Sequence, residues 1–132
     1  MNKPDKKEST VTLERKNTMV KKVKTIVYDM LQIDPPPKEN YSIYISNQLQ
    51  LNYTYIANIF SEVEKMTIEH YIIGEKIEKS IQLLLYGNYS ISEIADILHY
   101  SSIGHYSSQF KKVKGKTPTQ FKKEHLNKKD NL

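Results

Sequence analysis

Between Leu13 and Leu126 the apolar residues recur at spacings of three and four. That period gathers them on one side of a helix, so the chain is constrained to pack helix against helix. Val20, Val23, Val27, Met30 and Leu31 form the first stripe, in a helix expected from about Leu13 to Gln32. Asp34-Pro35-Pro36-Pro37 ends it, because consecutive prolines forbid helix; the run reads as a link rather than a docking motif. A short helix follows over Tyr41–Leu49, with Ile43, Ile45 and Leu49 apolar. Gln50-Leu51-Asn52 is a tight turn with Asn52 as the next N-cap. The helix from Tyr53 to Glu64 turns Ile56, Ile59, Phe60 and Val63 inward and leaves Thr54, Ala57, Asn58 and Ser61 outside.

Thr67 caps a longer helix to Tyr86, buried along Ile68, Ile72, Ile73, Ile77, Ile81 and Leu84. Gly87-Asn88 breaks it. Ser90 and Glu93 have capping-box spacing and open a short helix with Ile91, Ile94, Ala95 and Leu98. His99-Tyr100-Ser101 is a turn. The next helix carries Ile103, Tyr106, Phe110 and Val113 on one side until Gly115 stops it. Thr117-Pro118 starts a last helix to about residue 126, offering Phe121 and Leu126 to the core. One arrangement occurs twice, near 41–64 and 90–114: a short helix, a tight turn, and a second helix with small polar groups outside. This reads as an internally duplicated, all-α helix-turn-helix protein. Its expected parts are a disordered tail over 1–12, a helix and Pro-rich link over 13–39, and a first helix-turn-helix over 40–66. A linker helix over 67–86, a second helix-turn-helix with the C-terminal helix over 87–126, and a tail over 127–132 complete it.

Charge narrows the function. Residues 1–39 carry +3, residues 40–99 carry −4 and residues 100–132 carry +6. A basic end of that size attracts a polyanion, or is simply a solvated lysine tail. No cysteine is present, so there is no thiolate metal site or disulfide framework. His70, His99, His105 and His125 lack metal-ligand spacing, and there is no phosphate-binding glycine loop, so neither an enzyme nor a cofactor is expected. The polar N-terminus has no signal-peptide core and no apolar run spans a bilayer, which suits a cytoplasmic protein with no membrane partner.

The face opposite Tyr106 and Phe110 carries Gly104, His105, Ser108 and Lys112, flanked by Ser107 and Lys111. Short polar groups followed only by positive charge suit a helix whose start meets base edges and whose end meets phosphates. Tyr106, Phe110 and Tyr55 are read as core.

The stretch from Ile91 to Lys123 resembles the second helix-turn-helix of AraC/XylS-type transcription regulators. The matching positions are Ile91, Glu93, Ile94, Ala95, Tyr100, Ser101, Phe110, Lys111, Lys112, Gly115, Thr117, Pro118 and Phe121. Upstream, Leu49, Leu51, Tyr55, Ile56, Phe60, Thr67, Tyr71 and Lys76-Ile77-Glu78 match less fully. Ser46 replaces the usual Ala; Gln50, Lys65 and His99 stand where Gly is frequent. Ser61 and Glu62 replace lysines, and Gln109 replaces an apolar residue.

The resemblance implies a sequence-specific regulator that binds double-stranded DNA in the bacterial cytoplasm, at the nucleoid, and often activates through RNA polymerase. It implies DNA contacts from Ser102, Ile103, Gly104, His105, Ser107, Ser108, Lys111 and Lys112 in the second unit. In the first unit it implies Tyr53, Thr54, Ala57, Asn58 and Ser61. Ile103 has two readings, since the helical wheel puts it inside while the family pattern turns that position toward DNA. Acidic Glu62 and Glu64 leave a second function open, a protein-interaction module or antagonist without DNA binding. A chain of this length is expected to act as a monomer unless a further domain dimerises it.

Overall fold

The computed structural model describes residues 6–34 and 37–130, with side chains over 12–34 and 37–126. The described residues form seven helices and no strand: α1 (Lys6–Gln32), α2 (Tyr41–Leu49), α3 (Tyr53–Glu64), α4 (Ile68–Tyr86), α5 (Ile91–Ile97), α6 (Ile103–Lys114) and α7 (Pro118–Asp130). The chain divides into two compact units, Met1–Ile72 and Ile73–Leu132.

The first unit is built on α1. Val20, Val23, Val27 and Met30 from its stripe are buried with Ile45, Ile56, Ile59, Phe60, Ile68 and Ile72. Val23 and Val27 have no exposed surface, and each fully buried side chain of this kind contributes about 1.5–3 kcal/mol. α1 is therefore part of the core. Asn40 caps α2 by accepting from Ile43 N at 3.0 Å. Asn52 caps α3 by accepting from Thr54 N at 2.8 Å and Tyr55 N at 3.4 Å. The Ser46 hydroxyl, at the position where alanine is usual, donates to the Leu51 carbonyl at 2.5 Å and so ties α2 to the turn.

In the second unit Ile77, Ile81 and Leu84 of α4 pack with Ile94, Ala95, Leu98, Tyr100, Tyr106 and Phe110. The Ser90–Glu93 capping box is formed in both directions. Thr117 and Gln120 form another, with Thr117 Oγ1 accepting from Gln120 N and Gln120 Oε1 from Thr117 N. Gln109 is held by the Tyr100 hydroxyl, which donates to Gln109 Oε1 at 2.6 Å and accounts for a polar residue there.

The two units repeat each other closely. α3 and α6 are both twelve residues long, capped by Asn52 and Ser102, and each ends on a left-handed residue, Lys65 and Gly115. Counted from those caps, Tyr53 corresponds to Ile103, Tyr55 to His105, Phe60 to Phe110 and Glu64 to Lys114. The first helices also correspond: Val23, Val27 and Met30 of α1 take the core places of Ile77, Ile81 and Leu84 of α4. In that register Lys22 matches Lys76 and Lys24 matches Glu78.

Several expectations need correction. Residues 6–12, expected to be disordered, continue α1; extending an existing helix avoids nucleation, and Lys and Glu are good helix formers. Residues 1–5, Pro35 and Pro36 lie outside the described residues. α7 runs to Asp130 rather than ending near residue 126. Tyr55, read as core, is 54% exposed, because one step before Ile56 is about 100° round the helix. Leu126 is exposed too, near the end of α7. The α6 stripe is buried only at Tyr106 and Phe110; Ile103 and Val113, at its two ends, are exposed.

Candidate nucleic-acid interface

The start of α6 forms a polar, uncluttered surface. Ser102 caps the helix, accepting from His105 N at 3.0 Å. Ile103, Gly104, His105 and Ser108 are exposed and Ser107 is half-buried. A Cβ on Gly104 would meet only Ser102 Oγ, at 3.8 Å. Packing within the chain therefore does not demand glycine there, and the missing side chain leaves the backbone open to close approach from outside. The His105 ring is held edge-on to Tyr100 (5.2 Å, 88°), and its Nδ1 lies 3.3 Å from Ser101 Oγ. Beneath this surface the rings of Tyr100, Tyr106, Phe110 and Phe121 make a continuous series of contacts at 5.3–6.0 Å. Exposed polar groups thus sit above an aromatic cluster.

At the other end of α6, Lys114 is paired with Glu78 of α4 at 2.8 Å. Lys111 and Lys112 are exposed and form no ion pair among the described residues. They stand in the last turn, where positive charge also complements the helix dipole.

The matching surface of α3 differs. Thr54 and Asn58 are exposed, while Ala57 and Ser61 are half-buried. Tyr53 is half-buried edge-on to Tyr41 at 6.2 Å. Burial, and then Tyr41 and Glu69, push its hydroxyl up to about 12. Where α6 ends in free lysines, α3 ends in acids that are already partnered. Glu62 pairs with Lys16 at 2.9 Å and Glu64 with Lys24 at 2.7 Å, both from α1. Lys24 also lies over the Tyr71 ring at 5.6 Å.

The structure places the eight second-unit residues from Ser102 to Lys112 on α6 and its cap, and the five first-unit residues on α3. It resolves the two readings of Ile103 in favour of exposure. Tyr55 is exposed beside these residues, which the sequence reading missed. It occupies in α3 the exposed place that His105 occupies in α6, and aligning the units by Asn52 and Ser102 would have found it.

Two helix-turn-helix units, each with a capped second helix of equal length and an exposed polar face, define a double helix-turn-helix protein. The profile of a helix-turn-helix domain family matches residues 45–124. The chain belongs to that family, in its AraC/XylS-type branch. It is 32% identical over 80 residues to the Msm operon regulatory protein of Streptococcus mutans; the match covers 61% of this chain and 29% of that protein. The chain thus corresponds to less than a third of that curated relative. Its fold is similar to that of a DNA-binding transcriptional dual regulator from Escherichia coli K-12, with a TM-score of 0.70 at 17% identity over 83% of this chain and 93% of that one. It is also similar to the DNA-binding domain of the global transcriptional factor AdpA, solved with a target DNA. There the TM-score is 0.71 at 11% identity over 86% of this chain and 97% of that one. No helix among the described residues is long and apolar enough to cross a membrane.

Proposed function

We propose that this chain binds double-stranded DNA in a sequence-dependent way and regulates transcription. The observation that carries the reading is the exposed face of α6: short polar groups at the helix start, two lysines at its end with no ion pair among the described residues, and an aromatic floor behind. In a helix-turn-helix the second helix enters the major groove and its early residues meet base edges. Ser102, Gly104, His105, Ser107 and Ser108 can donate or accept there, and exposed Ile103 suits a thymine methyl. Lys111 and Lys112 contact phosphates, which fix register rather than sequence. In the first unit Thr54, Tyr55 and Asn58 take the corresponding roles, with Tyr53, Ala57 and Ser61 at the edge. Asn58 is suited to bidentate pairing with adenine. If each unit enters its own major-groove segment, the bound site is two half-sites about one helical turn apart. Contact with RNA polymerase would complete an activating role.

The second unit supplies most of the affinity on this reading, because the last turn of α3 presents Glu62 and Glu64 where that of α6 presents Lys112 and Lys114. Selection of bound sites from a random duplex pool tests the proposal. Two sub-motifs about one turn apart are expected if both units read sequence, and one short motif if only α6 does. No enrichment, with no retention of duplex at low salt, would refute DNA binding and leave a protein-interaction module.

A further inference from the structure

The first unit holds an open groove between α1 and the α2–α3 turn. Met19, Leu49 and Leu51 line it, with Arg15 and Lys22 at the rim, and its volume is about 460 Å³. A second lobe of about 330 Å³ continues along α1 past Lys21 and Ile26. The internal duplication shows what such a groove accommodates. In the second unit Tyr100 follows the left-handed turn residue His99, as Leu51 follows Gln50. Both residues fix their backbone alike, Tyr100 N donating to Ala95 O at 2.9 Å and Leu51 N to Ser46 O at 3.3 Å. The Tyr100 side chain is buried, and Lys76 Nζ lies 4.9 Å from its ring centroid. The first unit has the matching cation, Lys22, but a leucine, 39% exposed, in place of the ring. The site keeps a lysine and an apolar floor and lacks the aromatic group that fills its counterpart.

We propose that this groove docks an aromatic side chain carried on an acidic segment of a partner protein. The ring would lie on Met19, Leu49 and Leu51 beneath Lys22, as Tyr100 lies beneath Lys76. The flanking carboxylates would meet Arg15, Lys21 and Lys22. These three cations are exposed and form no ion pair among the described residues, and Glu14 is the one acid on the lining. The apolar floor favours a peptide over a DNA backbone, because phosphates gain nothing from Met19 or Leu51.

The test uses a short fluorescein-labelled synthetic peptide with one phenylalanine between glutamates, titrated with the full chain and read by anisotropy. Saturable, salt-sensitive binding is expected. Lys22→Ala, or alanine in place of the peptide's phenylalanine, should weaken it by about tenfold, the scale of one well-placed cation–π and apolar contact. Leu51→Tyr, which supplies the ring the second unit uses, should abolish it; a matched far-UV spectrum and melting temperature establish folding. If that variant does not fold, Lys22→Ala decides. Absence of saturable binding, or binding that both Lys22→Ala and Leu51→Tyr leave unchanged, overturns the proposal. So does displacement of the peptide by random duplex whose own binding falls equally in Lys22→Ala, an outcome that would make the groove a phosphate contact.

Discussion

Replacing Lys111 and Lys112 together with alanine separates the two units' contributions to DNA binding. Both side chains are exposed, and neither has an ion pair to lose among the described residues. Each lysine on a phosphate releases about 0.9 counterion, worth about 0.7 decades of affinity at about 0.15 M salt. The double variant should therefore bind a selected duplex about 30-fold more weakly, with the slope of log K against log salt flatter by about 1.8. The loss should be nearly uniform across duplex sequences, because phosphate contacts carry no base information. Thr54→Ala with Asn58→Ala should cost about fivefold, the low end of one bidentate base contact. Their helix ends in Glu62 and Glu64, which hold Lys16 and Lys24 instead of leaving cations for phosphates. Anisotropy titrations over a salt series measure all four quantities. Equal losses from the two double variants, or an unchanged salt slope for the lysine pair, would refute the asymmetry.

Other outcomes test the fold. Among the described residues the buried Tyr106 hydroxyl has no hydrogen bond of ordinary geometry; its polar neighbour is Ser80, whose own hydroxyl donates to Ile77 O. Tyr106→Phe should be neutral or stabilising by up to about 1 kcal/mol in urea denaturation. Lys65 closes α3 with φ 60°, so Lys65→Gly should stabilise by about 0.5–1 kcal/mol, whereas Gly115→Ala at φ 81° should destabilise by a similar amount. Lys24→Glu should lower the melting temperature and Glu64→Lys in the same chain should restore it, a coupling of about 0.5–1 kcal/mol for an exposed pair. Burial pushes the Tyr53 and Tyr100 hydroxyls up to about 12. The unfolded chain ionises these groups from about pH 10, ahead of the folded one. Their stability contribution is complete below that value and lost between about pH 10 and 12. Alkaline denaturation should become less steep in Tyr53→Phe and Tyr100→Phe.

The helix order was legible because each boundary carries local chemistry: Asn52, Ser90, Thr67 and Thr117 as caps, Gly115 as a stop. The three non-glycine residues at positive φ among the described residues, Gln50, Lys65 and His99, are the places where the sequence departs from a frequent glycine. Those departures marked the turns even though the residues are unfavourable there. Orientation at helix edges was less legible. Tyr55 lies a single step from Ile56, and hydrophobicity alone does not separate a ring that packs inward from one that faces solvent. The partnership of α1 lysines with the end of α3 was invisible to periodicity, because it joins residues far apart in sequence. Read alone, Glu62 and Glu64 were an acidic anomaly; in the fold they grip the supporting helix.

The ion pairs between supporting and second helices have opposite polarity in the two halves. Lys24 of α1 meets Glu64 of α3, whereas Glu78 of α4 meets Lys114 of α6. A duplicated protein faces a problem of self-identification, since the supporting helix of one half has nearly the right apolar stripe for the other. Here an exchanged assembly would set Lys24 against Lys114 and Glu78 against Glu64. Like charges would oppose each other at both joints, so the two-letter code of charge disfavours the exchanged pairing.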